Sequence, residues 1–103
     1  MIQKEKVLIT EDDDTFRTVL QNYILKMGFE VEAASNGKEA LQKINSEKDG
    51  FNLLLTDLDM PIMGGQNLIQ EVKDMYPDMI IIVISSHNEN DVIIDVMRHG
   101  LYR

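Results

Sequence analysis

The sequence predicts an α/β fold, a doubly wound parallel sheet with helices on both faces. Four short apolar runs, Val7 to Thr10, Phe29 to Ala33, Phe51 to Thr56 and Met79 to Ile84, alternate with four helically spaced patterns. The third and fourth runs are almost wholly apolar, as strands buried on both faces are. Two acidic clusters, Glu11-Asp12-Asp13-Asp14 and Asp57-Leu58-Asp59, each follow directly on one of the runs. Open α/β sheets bind their ligands at those carboxyl ends of the strands. A βαβαβαβα order with right-handed crossovers gives this architecture.

Each element has its own signal. The first strand, Val7 to Thr10, is followed by Phe16, Val19, Leu20, Tyr23, Ile24 and Met27 at helical spacing. Asp13 or Asp14 caps that helix and Gly28 ends it. The second strand, Phe29-Glu30-Val31-Glu32-Ala33, alternates apolar and charged residues and fits a sheet edge. Ala40, Leu41 and Ile44 mark a second helix that begins near Asn36-Gly37. Leu68, Ile69, Val72 and Met75 mark a third, stopped by Tyr76-Pro77. Val92, Ile93, Val96 and Met97 predict a fourth helix ending at Gly100. Met27, Met75 and Met97 fall on the apolar helical faces and are expected in the core.

Composition narrows the function classes. A chain of 103 residues makes one domain, and 44% hydrophobic content suffices for a real core. The net charge of −8 argues against direct nucleic-acid or anionic-membrane binding, both of which depend on positive surface. With no cysteine there is no disulfide framework, thiolate metal site or thiol nucleophile. The longest uninterrupted apolar run is too short to span a bilayer, and the early Lys4-Glu5-Lys6 leaves no signal-peptide core. A cytoplasmic location is expected.

The acidic clusters carry the chemistry. A parallel sheet aligns the carboxyl ends of its strands, so neighbouring first and third strands bring Glu11, Asp12 and Asp57 into one small volume. Two such charges ~4 Å apart at an effective dielectric of ~20 repel by roughly 4 kcal/mol. Protonation, a cation, or chemistry that removes a charge relieves that repulsion. Facing carboxylates suit a hard divalent cation such as Mg²⁺, which takes oxygen ligands and commonly bridges to phosphate. With the field partly neutralised, one carboxylate can serve as nucleophile toward a phosphoryl group, and a hydroxyl such as Ser85 can hydrogen-bond the group once attached. Asp13 and Asp14 are assigned to capping and solvated charge. His87 and His99 lack metal-ligand spacing to each other and are expected at the surface.

The ordered combination resembles the receiver domain of two-component response regulators. The matching pieces are Val7-Leu8-Ile9-Thr10-Glu11-Asp12-Asp13 with Arg17, then Asp57-Leu58-Asp59-Met60-Pro61 with Gly64-Gly65. Ile80 to Ile84 with Ser85-Ser86, and the Met97-Arg98-His99-Gly100 segment, complete the pattern. The resemblance implies a flavodoxin-like receiver fold over residues 1–103, with four of the usual five βα units. It also implies that Asp57 is the phosphoacceptor, served by a histidine kinase or a histidine phosphotransfer protein. Glu11, Asp12, Asp57 and the backbone carbonyl of Asp59 would hold Mg²⁺, and Ser85 would be the switch hydroxyl. Any catalysis would be self-phosphorylation and self-dephosphorylation at Asp57.

The sequence departs from the family after Gly100, where a Gly-Ala turn, a fifth strand ending in Lys-Pro and a fifth helix are expected. Relative to the family the domain reads as truncated at its C-terminus. The fourth strand is then expected to end the sheet as an exposed apolar edge, which predicts a homodimer through that strand. The missing lysine favours an alternative reading, a pseudo-receiver that binds partners without productive phosphorylation. A remoter alternative is a haloacid-dehalogenase-type phosphatase, suggested by Asp57-Leu58-Asp59 after an apolar strand. Pro61 stands where those enzymes usually have Thr or Val. An EF-hand reading fails because Pro61 replaces a ligand and Ile62 the required glycine.

Overall fold

The computed structural model describes residues 5–47, 50–57, 62–88 and 91–97, with 85–88 and 91–97 described as backbone. The elements are β1 (Lys6–Thr10), α1 (Asp14–Lys26), β2 (Glu30–Ala34), α2 (Gly37–Ser46), β3 (Leu53–Asp57), α3 (Gly65–Met75), β4 (Ile80–Asn88) and β5 (Asp91–Met97). They form one sheet of order β2-β1-β3-β4-β5. The first four strands are parallel, as expected, with β2 at the edge.

The strand faces explain the layers. Leu8, Leu54, Ile81 and Val83 point to one side of the sheet, where α2 lays Ala40, Leu41 and Ile44 and α3 lays Leu68, Ile69 and Val72. Val7, Ile9, Leu55 and Ile84 point to the other, where α1 offers Phe16, Leu20 and Ile24. Helices therefore cover both faces, the doubly wound arrangement that the alternation predicts. The two layers are unequal. Helices α2 and α3 each bury several side chains, whereas α1 has no fully buried residue.

That inequality corrects the expectation for the methionines. Met27 is 66% exposed and Met75 47%. Met27 lies at the C-cap of a helix with only a half-buried apolar stripe, and Met75 closes α3 beyond its last buried residue, Val72. Met97 lies in β5, described as backbone.

The larger correction is β5. Residues 91–97 form a strand, not the fourth helix that the spacing predicts, and they pair antiparallel with β4 from Ile81↔Met97 to Asn88↔Asp91. Val92, Ile93, Ile94 and Val96 are β-branched and lose side-chain freedom in a helix. Spacing of 92, 93, 96 and 97 fits a helical face, but so short an apolar run fits a buried strand equally well. The edge of β4 supplies the unpaired N–H and C=O groups that decide between them. The chain's own β5 thus occupies the edge through which dimerisation was expected, and three βα units rather than four precede the β4–β5 hairpin. Among the described residues no helix is long and apolar enough to cross a membrane.

Candidate functional site

The carboxyl ends of β1 and β3 build the site. The two strands are direct neighbours, with Thr10 opposite Thr56. The next residue on each, Glu11 and Asp57, therefore stands at the same level, and Asp12 joins them from the turn into α1. Carboxylate oxygens of Glu11, Asp12 and Asp57 lie within 4.8 Å of one another. Glu11 is buried, Asp57 half-buried and Asp12 exposed. The three residues that the sequence singles out as convergent are convergent.

Local hydrogen bonds fix Glu11. Its N–H donates to the Ala34 carbonyl at 3.0 Å, continuing the β1–β2 ladder. Its side-chain Oε2 accepts the Asp13 N–H at 3.0 Å, and its carbonyl accepts from Arg17 Nη1 at 2.9 Å. Arg17 also pairs with Asp14. Asp13 is the N-cap of α1, its Oδ1 accepting the Phe16 N–H at 2.8 Å, so its assignment to capping holds. The start of α1 thus serves as a bracket that holds the buried acid in place.

Burial pushes the Glu11 carboxyl up from 4.5 to about 7. That net rise already includes smaller upward contributions from the Asp12 and Asp57 carboxyls and the opposing effect of the Asp13 N–H. A buried carboxyl beside two others is poorly stabilised as an anion, and a cation relieves that instability as well as a proton does. The donor set is all oxygen, which suits a hard divalent ion such as Mg²⁺.

The remaining predicted residues are placed as follows. Ser85 lies within β4 rather than after it, directly past Ile84, which pairs with Asp57. Its backbone pairs with Ile93 of β5. His87 is also in β4. Asp59, Met60, Pro61 and His99 lie outside the described residues.

Two features near Asp57 have no counterpart in the sequence reading. The Gly37 N–H, at the first turn of α2, donates to the Met63 carbonyl at 3.3 Å. A Cβ on Gly37 would stand 2.7 Å from that oxygen and 2.8 Å from the Met63 Cγ. Met63, two residues before α3, is therefore seated directly on the Gly37 backbone. No local pattern links residues 37 and 63; Asn36-Gly37 reads only as a helix start. Ile62, next to the seated residue, has φ +70° and is 78% exposed. A β-branched side chain in the left-handed region is a true outlier.

Each feature has a measurable consequence. Gly37→Ala must displace Met63 backbone and is expected to lose about 2 kcal/mol in urea denaturation; unchanged stability would mean that the loop yields freely. Ile62→Asn is expected to gain about 1 kcal/mol in the same assay, because Asn tolerates the left-handed conformation. A loss would show that Ile62 makes compensating contacts.

A family model described as "Response regulator receiver domain" matches residues 7–103. The DNA-binding transcriptional regulator NtrC of Proteus hauseri is 30% identical over 98% of this chain and 21% of its own length. A response regulator receiver protein of Anaeromyxobacter sp. is 36% identical over 93% of this chain and 40% of its own. The chain thus spans about a fifth to two fifths of these curated relatives. Among solved structures, response regulator TrrA of Thermotoga maritima, crystallised with Mg²⁺-BeF, superposes with a TM-score of 0.75 at 29% identity. That match covers 84% of this chain and 76% of TrrA. A response regulator receiver protein from Pseudomonas putida gives 0.76 at 26% identity, covering 86% and 74%.

Proposed function

The chain belongs to the response regulator receiver domain family, and on that premise we propose that it is a phosphoryl-accepting switch of a two-component phosphorelay, with Asp57 as acceptor. The observation that carries the reading is the convergence of Glu11, Asp12 and Asp57 carboxylates within 4.8 Å at the strand ends. A carboxylate oxygen of Asp57 attacks phosphorus. The new P–O bond forms as the P–N bond of a phosphohistidine breaks, and the departing imidazole keeps the electron pair and is protonated from water. Acetyl phosphate reacts likewise, with a P–O bond breaking and acetate leaving.

Glu11, Asp12 and Asp57 are the residues that would hold Mg²⁺, together with the backbone carbonyl of Asp59. The bound ion supplies positive charge against the phosphoryl oxygens. Glu11, braced by the Asp13 N–H and Arg17, keeps the acidic pair in register with the acceptor. The Ser85 hydroxyl donates to a phosphoryl oxygen once the group is attached. The added negative charge then acts on the loops after β3 and β4. The donor is a histidine kinase or a histidine phosphotransfer protein, and the setting is cytoplasmic.

The test is incubation with Mg²⁺ and acetyl phosphate, followed by intact-mass and peptide analysis. Wild type is expected to gain one phosphoryl mass mapping to Asp57, and Asp57→Asn none. Identical behaviour of the two proteins would overturn the reading. Mg²⁺ binding by both without any phosphoryl gain would favour the pseudo-receiver alternative.

A further inference from the structure

The loop after Asp57 holds one residue that is unfavourable in the free protein on two independent counts. Ile62 takes a backbone conformation with φ +70° that its branched Cβ resists, and it exposes 78% of its surface to water. No other non-glycine residue among those described has a positive φ. Ile62 is also the most exposed of the large hydrophobic residues described. Single exposed apolar residues are ordinary, but one in a strained backbone beside a reactive site is not. The neighbouring clamp explains how the conformation persists: Met63 is seated on Gly37, with no space between them for a further atom.

The geometry also says what can lie against Ile62. The loop that carries it runs from the end of β3 to the first turn of α3, and its seat on Gly37 is the residue that opens α2 after β2. Ile62 therefore sits at the same pole of the sheet as the acidic triad. A phosphoryl group passes between two proteins only when donor and acceptor atoms come within bonding distance. The donor's surface must then cover the loops around Asp57.

We propose that Ile62 is an apolar specificity anchor for the phosphohistidine-bearing protein, held outward by the Gly37–Met63 clamp. It engages an aliphatic or aromatic patch beside the donor histidine. A small donor such as acetyl phosphate has no such patch and gains nothing from Ile62. This inference rests on the reading of Asp57 as phosphoacceptor.

The experiment compares wild type, Ile62→Asn and Ile62→Leu with two donors. The protein donor is the autophosphorylated sensor kinase, from a panel of the source organism's kinases, that labels wild type fastest. The small donor is acetyl phosphate with Mg²⁺. For Ile62→Asn, the KM for the kinase is expected to rise roughly tenfold, the effect of losing one buried aliphatic contact. Its kcat and its acetyl phosphate rate should stay at the wild-type values. Ile62→Leu, which keeps the apolar bulk, should restore the KM. An unchanged kinase KM in Ile62→Asn overturns the anchor, as does an equal loss with both donors. If acetyl phosphate labels wild type but no kinase does, the anchor falls while the phosphoacceptor reading stands. If neither donor labels Asp57, that reading fails and the anchor fails with it.

Discussion

Replacing Glu11 with Gln is expected to flatten the pH dependence of stability by about 3 kcal/mol. In the folded chain, burial raises the Glu11 carboxyl to about 7 from an ordinary 4.5. Between those values the folded state holds a proton that the unfolded state has released. Stability from this group is therefore complete below 4.5, falls as pH rises through the window, and is lost above about 7. The groups facing Glu11 are the Asp12 and Asp57 carboxyls and the Asp13 N–H, with Arg17 bound to its carbonyl. The glutamine keeps the size and the acceptor for Asp13 but has nothing to titrate. Urea denaturation at a series of pH values from 4 to 8 reads the difference between the two proteins. Millimolar Mg²⁺ should shrink the wild-type slope, since the cation replaces the proton. Parallel curves for the two proteins would show that Glu11 is not the destabilised acid.

Leu54→Ala is expected to cost about 3–4 kcal/mol, a large share of the roughly 5–15 kcal/mol that holds an ordinary domain folded. Leu54 is fully buried at the centre of the sheet. It pairs with Leu8 on one side and Ile81 on the other, and all three belong to the core beneath α2 and α3. Hydrogen-bonded strands on both flanks keep the surrounding backbone from collapsing into the space left. The comparison is Leu53→Ala, next in the same strand but half-buried under α1. It should cost less than half as much. Equal losses would mean that the two layers are equally tight, against their difference in burial.

How far the chain could be read in advance depended on whether the deciding interaction was local. The four parallel strands and the first three helices were legible, because apolar spacing, Asp13, Gly28 and Pro77 mark them within a few residues. The convergence of Glu11, Asp12 and Asp57 is legible on the condition that the first and third strands are neighbours, and the strand order meets that condition. Residues 91–97 carry a pattern that satisfies both periods, and only the open edge of β4, set by the whole sheet, chooses the strand. The seat of Met63 on Gly37 joins two distant loops, and the left-handed backbone of Ile62 contradicts its residue type. Neither leaves a mark in the sequence nearby. Spacing gives the direction of a face but not the thickness of what covers it, so Met27 and Met75 lie on apolar faces and are nonetheless exposed.

The thinner cover over the α1 face has a bearing on the acids. A protein opens in pieces, and the pieces with the least apolar anchorage open first. Helix α1 has no buried side chain, while α2 and α3 bury three each, Ala40, Leu41 and Ile44 in one and Leu68, Ile69 and Val72 in the other. It is the element expected to detach at the lowest free energy. Yet α1 carries Arg17 and begins at the Asp13 cap, which hold the Glu11 carbonyl and carboxyl respectively. The best-anchored half of the molecule supports β3 and Asp57, and the least anchored helix governs the acids beside it. Fraying at the start of α1 would release Glu11 from its bracket while Asp57 stays where β3 puts it.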